Sequence, residues 1–113
     1  MIAYIDHVPN FIAYRTALSP RELQERATIH VETSDKAKLA LVLHAIGSIH
    51  ATPDEHPADL RYAIRLRDDR SAKRVTIYLD AFGTRGRIDG RAVRFDSDAI
   101  KRAMVEISPA LAR

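Results

Sequence analysis

The longest run of apolar residues in this chain lies between Ser34 and Ile49. Its apolar positions repeat at the i, i+3, i+4, i+7 spacing of a helix face, and further apolar residues widen that face. We therefore expect a long helix that is buried on most sides. Ser34 or Thr33 is the predicted N-cap, and Gly47 is the predicted stop. The apolar positions are Leu39, Leu41, Val42, Leu43, Ala45, Ile46 and Ile49.

A shorter helix is predicted ahead of it by a local capping signal. Ser19 is the expected N-cap, Pro20 the first helical residue and Glu22 the third, which is the pattern of a capping box. This helix should run for about two turns, through Ala27. Residues 28–32 then alternate between apolar and polar side chains, which predicts a short strand leading into the long helix.

Two alternating stretches, residues 60–67 and 74–80, predict an antiparallel hairpin closed by a turn at residues 68–71. Successive side chains of a strand point to opposite faces, so the apolar positions should face the core and the polar positions solvent. The positions predicted to face inward are Leu60, Tyr62, Ile64, Leu66, Val75, Ile77 and Leu79. Those predicted to face outward include Arg61, Arg65, Arg67, Arg74 and Tyr78.

A second hairpin and a final helix complete the pattern. Asp89-Gly90 is a strong two-residue hairpin signal, and the chain returns through residues 91–95. Asp96 or Ser97 is the predicted N-cap of the last helix. Residues 50–59, which contain two prolines, are predicted to form a loop. The apolar stripe of the last helix is Ile100, Ala103, Met104 and Ile107.

These elements predict an α+β fold. Its antiparallel meander of three to four strands should pack on one long central helix, with a C-terminal helix and a short N-terminal helix. The helices are expected on one face of the sheet, which leaves the other face wet and rich in arginine. The chain of 113 residues is predicted to be a single domain, 1–113. Residues 1–17 are predicted to be an arm or edge strands, and residues 109–113 a tail.

Charge divides the chain into two halves. Residues 1–60 carry five Lys/Arg and eight Asp/Glu, whereas residues 61–113 carry thirteen and seven, and most of those cations are arginine. The absence of cysteine excludes disulfide scaffolds, thiolate zinc sites and thiol catalysis. No segment approaches the roughly 18 apolar residues that span a bilayer. We therefore expect a cytoplasmic protein without a membrane partner, although a mature periplasmic or secreted form fits the composition as well.

The outward face of the meander carries the most distinctive chemistry. Guanidinium groups with an aromatic side chain among them are typical of surfaces that bind carboxylates or phosphates. Arginine and tyrosine also anchor many protein interfaces. We therefore predict a non-enzymatic protein-binding module of the inhibitor, immunity or adaptor type. The candidate partner-binding residues are Arg61, Arg65, Arg67, Arg74, Tyr78 and Arg87.

Several alternatives stay open from the sequence. The same residues suit a nucleic-acid-binding face, and a merely solvated face would have a similar composition. His50 and His56 have the ligand chemistry for a divalent metal or for acid–base catalysis in a small hydrolase or nuclease, but their spacing matches no tight motif. The prediction contains no cofactor, metal or catalytic residue. An exposed strand edge in residues 1–17 would favour a homodimer.

Overall fold

The computed structural model describes residues 1–71 and 73–113 and shows an α+β fold built on one antiparallel sheet of seven strands in the order β2-β1-β4-β5-β6-β7-β3. The strands are β1 (Ile2–His7), β2 (Ile29–Thr33), β3 (Ala51–Pro53), β4 (Leu60–Arg67), β5 (Arg74–Asp80), β6 (Arg85–Ile88) and β7 (Arg91–Phe95). The helices are α1 (Pro20–Arg26), α2 (Lys36–Ser48) and α3 (Ala99–Ile107), followed by a short 3-10 helix (Pro109–Ala112).

The predicted hairpins form the centre of the sheet. β4 pairs with β5, and β6 pairs with β7 around Asp89 and Gly90, whose φ angles are 51° and 76°. Both angles lie in the left-handed region that a type I′ turn requires, so the Asp-Gly signal is confirmed. The two hairpins join through β5 and β6 into the expected meander.

The sheet is larger than the predicted three to four strands. β1 lies between β2 and β4, and β3 pairs with β7 at the far edge. The strand at residues 28–32 was predicted, and residues 1–17 were predicted as an arm or edge strands, but their pairing with the meander was not, and β3 was missed altogether. The partners of all three strands are remote in the chain, and no local turn signal joins them. Part of the predicted loop 50–59 is therefore an edge strand, whereas residues 11–14 belong to no strand.

α2 and α3 pack on one face of the sheet and enclose the main core with it. Leu39, Val42 and Ala45 of α2 are buried, but Leu41 and Leu43 are 41% and 42% exposed. The prediction of a helix buried on most sides is wrong, because only one side of α2 meets the sheet.

The predicted ends of these two helices shift by one or two residues. Asp35 caps α2 by accepting from Ala37 N and Lys38 N, in place of Ser34 or Thr33, and the helix continues past Gly47. Asp98 begins α3 in place of Asp96 or Ser97, while its predicted apolar stripe is buried as expected. The predicted tail is ordered, with Leu111 fully buried.

α1 packs on the opposite face of the sheet, with the segment of residues 8–19 that precedes it. Its capping box is confirmed: Ser19 Oγ accepts from Glu22 N at 3.2 Å, and Ser19 N donates to Glu22 Oε1 at 3.4 Å. The expectation that all helices share one face does not hold. Leu23 of α1 is fully buried against this face, so the second face has a small core of its own.

A bulge in β4 explains one further difference. The pairing between β4 and β5 shifts between Leu60 and Tyr62. Because the side-chain period of a strand is two, one extra residue sends its neighbours to opposite faces. Tyr62 therefore lies in the main core as predicted, while Leu60 lies in the core beneath α1.

None of the helices within residues 1–71 and 73–113 has the length and apolar character needed to cross a membrane.

Candidate ligand-binding face

The second face of the sheet is only partly covered. Residues 8–19 and α1 pack over one end of β4, near Leu60 and Ala63. At the other end of β4 lies an open groove of about 330 Å³. We call it the arginine groove; it is lined by Tyr4, Arg65, Leu66, Arg67, Arg74 and Thr76.

Strand register brings the polar residues of the arginine groove together. Tyr4 on β1 pairs with Arg65 on β4, and Arg65 pairs with Thr76 on β5. These three side chains therefore form one row across three neighbouring strands. In the next outward row, Arg67 lies directly opposite Arg74. β1 is remote from β4 and β5 in the sequence, and the pairing of the three strands places these residues on one surface.

Arg65 is fixed by a network of hydrogen-bonded side chains. Its Nη2 donates to Asp6 Oδ2, and Asp6 Oδ1 accepts from His30 Nδ1 at 2.7 Å. Asp6 is buried on β1, whereas the Arg65 side chain keeps 43% of its surface exposed. The Nε of Arg65 is shielded from solvent and has no hydrogen-bond acceptor among the described residues. Part of this guanidinium is thus held in place, and another part lacks an acceptor.

Arg67 and Arg74 are less constrained. Arg67 Nε lies 3.8 Å from Asp69 Oδ1, and both side chains are more than half exposed. An exposed ion pair at that separation contributes little to stability. Arg74 is exposed and makes no ion pair within the part of the chain that the structure describes. The groove therefore holds two guanidinium groups whose charge is weakly compensated.

Arg61 does not lie on a wet surface, contrary to the prediction for the outward positions of β4. It is only 4% exposed. Its Nη2 donates to Asp59 Oδ2 at 3.0 Å and its Nη1 to the carbonyl oxygen of Pro9 at 3.0 Å, while its guanidinium lies 5.1 Å from the ring centroid of Tyr14. Asp59 Oδ1 also accepts from Leu18 N at 2.8 Å. Arg61 therefore fastens residues 8–18 to the sheet.

Tyr78 and Arg87 lie together at the border of the covered region. They are cross-strand partners on β5 and β6, and both are half-buried. Tyr78 packs against the core beneath α1. Gly86 next to them is required by close backbone approach, because a Cβ there would lie 1.7 Å from the carbonyl oxygen of Tyr78. The predicted partner-binding residues thus fall into three separate places.

Two further arginines are occupied near β3. Asp54 accepts from Arg85 Nε at 2.7 Å, and Arg94 Nε lies 3.9 Å from the same oxygen. The hydrogen bond from Arg85 lowers the pKa of the Asp54 carboxyl below its ordinary value. The hydrogen bond from Arg85 links the end of the edge strand to β6, so Arg85 acts in the fold, whereas the exposed Arg94 contributes little at its longer distance.

The fold does not gather the two loop histidines into a candidate metal site. His50 and His56 flank opposite ends of β3, and both are exposed. The backbone N of His50 donates to Asp96, and the carbonyl oxygen of His56 accepts from Arg85 Nη2. Within the described residues there is no group of three or more His, Cys, Asp or Glu side chains that could hold a metal ion.

A different histidine is built into the core. His7 is fully buried and stacks on Tyr62, with ring centroids 4.0 Å apart and an angle of 8° between the planes. Its Nδ1 donates to the carbonyl oxygen of Arg61 at 2.9 Å, which assigns the proton of the neutral ring to Nδ1. Burial lowers the pKa of His7, because the charged ring would lose its hydration.

Three residues of the arginine groove and its support were not among the predicted partner-binding residues, namely Tyr4, Asp6 and Thr76, although the alternation of residues 74–80 predicts an outward position for Thr76. The alternation of Ala3 and Ile5 with Tyr4 and Asp6 was the available signal, since it assigns the polar pair to one face of a strand. Nothing local showed that this strand lies beside β4.

Comparison with protein-family models, with curated proteins and with solved structures finds no match for this chain.

Proposed function

We propose that this chain is a non-enzymatic binding protein that contacts an acidic segment of a protein partner through the arginine groove. The observation that carries the proposal is the placement of Arg65, Arg67 and Arg74 around one open groove with Tyr4. Guanidinium groups bind carboxylates in a planar, two-pronged geometry, and tyrosine adds apolar contact area with a polar tip.

The distribution of charge favours a protein partner over nucleic acid. A protein that follows a nucleic-acid backbone uses an extended basic track with aromatic platforms for the bases. Here Glu32 and Asp6 lie on the same face beside the groove, and Arg85 and Arg94 farther along the sheet are paired with Asp54. Carboxylates therefore interrupt the positive charge of the sheet, which suits a short acidic segment better than a long polyanion.

Capture of partners from a native lysate by the full chain tests the proposal. The double variant Arg67→Ala/Arg74→Ala should lose a protein that the wild-type chain retains after nuclease treatment. The matched control is Arg21→Ala/Arg91→Ala, which removes two exposed arginines outside the groove and changes the net charge equally. Equal retention by both double variants would refute the proposed interface.

The salt dependence of the affinity distinguishes the nucleic-acid alternative from the protein-binding proposal. If the retained molecule is nucleic acid, the logarithm of its affinity should fall linearly and steeply with the logarithm of salt concentration, because each phosphate contact releases counterions. A protein partner held by a few ion pairs and an aromatic contact should show a shallower dependence. Recovery of nucleic acid with the steep dependence would replace the protein-binding proposal.

A further inference from the structure

We infer that the arginine groove is a phosphomonoester pocket, which takes a phosphorylated side chain of the protein partner. This inference rests on the proposed function for the source of the phosphate, but its chemistry rests on the groove alone. Three guanidinium groups and two hydroxyl-bearing side chains line this single cleft.

The first observation is that Arg65 is prepared for a ligand it does not yet contact. Asp6 accepts from Nη2 of its guanidinium, and Asp6 is in turn held by His30 Nδ1. Its Nε is shielded from solvent yet finds no acceptor among residues 1–71 and 73–113. Buried donors in proteins are almost always satisfied, so Arg65 has hydrogen-bonding capacity that the described residues do not use. The side chain is 43% exposed beside the groove, and an anion there would meet its accessible part.

The second observation is the direct opposition of Arg67 and Arg74 across β4 and β5. Like charges in facing positions of adjacent strands disfavour the pairing. The nearby carboxylate of Asp69 is exposed and lies 3.8 Å from Arg67, so it offsets this repulsion weakly. An anion placed between the two guanidinium groups would convert the repulsion into attraction to both.

A phosphate monoester matches this arrangement better than a carboxylate. It carries close to two negative charges at neutral pH and three acceptor oxygens, whereas a carboxylate carries one charge and two oxygens. Three arginine side chains can each meet a separate phosphate oxygen with charge-assisted hydrogen bonds. Tyr4 and Thr76 also line the groove, and their side chains carry hydroxyl groups that can donate further hydrogen bonds.

The dimensions of the groove limit the size of the ligand. Its volume of about 330 Å³ is at the small end of the range for ligand pockets. The ring of Tyr4 forms part of its lining and suits an apolar or aromatic neighbour of the phosphate. A phosphorylated side chain fits these limits.

Titration of the full chain with phenyl phosphate, followed by amide chemical shifts in NMR, tests the inference. We expect saturable shifts that centre on Tyr4, Arg65 and Thr76. Benzoate, which has the same ring and a single charge, should bind at least about tenfold more weakly because it offers fewer oxygens and less charge. Equal affinities for the two compounds would overturn the phosphate assignment.

Substitutions of single arginines test whether phenyl phosphate binds in the arginine groove. Arg74→Ala should weaken phenyl phosphate binding by about tenfold or more, and Arg74→Lys should recover only part of it, because lysine lacks the planar fork. Arg91→Ala, an exposed arginine on β7 outside the groove, is the control and should bind as the wild type does. Equal weakening by Arg74→Ala and Arg91→Ala would show that net charge alone is responsible and would overturn the pocket.

Two outcomes separate this inference from the proposed function. If phenyl phosphate does not bind, yet Arg67→Ala/Arg74→Ala still loses a protein partner, the phosphate inference fails and the protein-binding proposal stands. If phenyl phosphate binds in the groove but adenosine 5′-monophosphate binds more tightly and no protein is captured, the protein source is refuted and the pocket stands.

Discussion

The two ends of β4 carry arginines on the same face of the sheet, yet those arginines have different roles. At the covered end, Arg61 is buried beneath residues 8–18 and bonded to Asp59 and Pro9. At the open end, Arg65 and Arg67 line a groove that faces solvent. The difference arises from what packs above the sheet, because alternation along a strand determines the face and leaves its cover undetermined.

The carboxylates that pair with arginines of the sheet also differ from the carboxylates near the turns of the meander. Asp68 and Asp89, which neighbour the arginines in sequence, lie between strands, and Asp80 ends β5. Asp80 accepts from Gly83 N and Thr84 N of the following turn, and Asp68 accepts from Arg70 N. The firmly paired arginines instead use carboxylates remote from the turns of the meander, namely Asp6, Asp54 and Asp59. Charge counting along the sequence therefore overestimates local neutralisation around the arginine groove.

The largest expected effect on stability comes from weakening the packing of α1 on the sheet. Leu23→Ala deletes the buried side chain with which α1 packs on the sheet, and it should lower the free energy of unfolding by about 2–5 kcal/mol. Leu41→Ala in α2 is the matched control, because its side chain is already 41% exposed, and its cost should stay below about 1 kcal/mol. Chemical denaturation measures both. Similar losses for the two variants would contradict the assignment of α1 as a packed cover.

Replacing one arginine at each end of β4 by methionine gives the sharpest contrast in stability between the two ends. Arg61→Met leaves the carbonyl oxygen of Pro9 without its donor and removes the ion pair with Asp59, so we expect a loss of about 1–3 kcal/mol. Arg67→Met at the open end should change the free energy of unfolding by no more than about 0.5 kcal/mol. An Arg61→Met variant as stable as Arg67→Met would refute the structural role of Arg61.

The main core at the same end of β4, where His7 stacks on Tyr62, should also confer a pH dependence on stability. Burial holds the pKa of His7 below its ordinary value of 6.5, so the unfolded chain binds the proton more readily than the folded chain. Stability should be full above pH 6.5 and should fall as pH decreases below that value, until the lowered folded pKa is passed. Denaturation across this range measures the slope. His7→Asn, whose amide can still donate to the Arg61 carbonyl, should lack this component; an unchanged slope would exclude His7 as its source.

The smallest expected effect concerns the open end. Arg67→Ala/Arg74→Ala removes two like charges that face each other, and relief of their repulsion should raise stability by about 0.2–1 kcal/mol at low salt. Added salt should reduce the gain, because exposed charges are screened. A clear loss of stability would mean that these side chains support the fold, and the groove would then be a structural feature instead of a binding surface.

The sequence alone determined the local elements. The capping box at Ser19, the Asp89-Gly90 turn and the alternation of β5 depend on neighbouring residues, so their signals could be read directly. The face to which Arg65, Arg67 and Arg74 belong also followed from alternation, and these three residues of the arginine groove were predicted.

Tertiary structure decided the rest. The addition of β1, β2 and β3 to the meander depends on long-range pairing that no local signal encodes. The bulge before Tyr62 reversed Leu60, and the packing of α1 buried Arg61 while leaving Arg65 accessible. Tyr4 joined the groove only when β1 aligned beside β4. The physical reason is common to all of these: side-chain direction is a property of the strand, whereas burial is a property of whatever the completed fold lays over it.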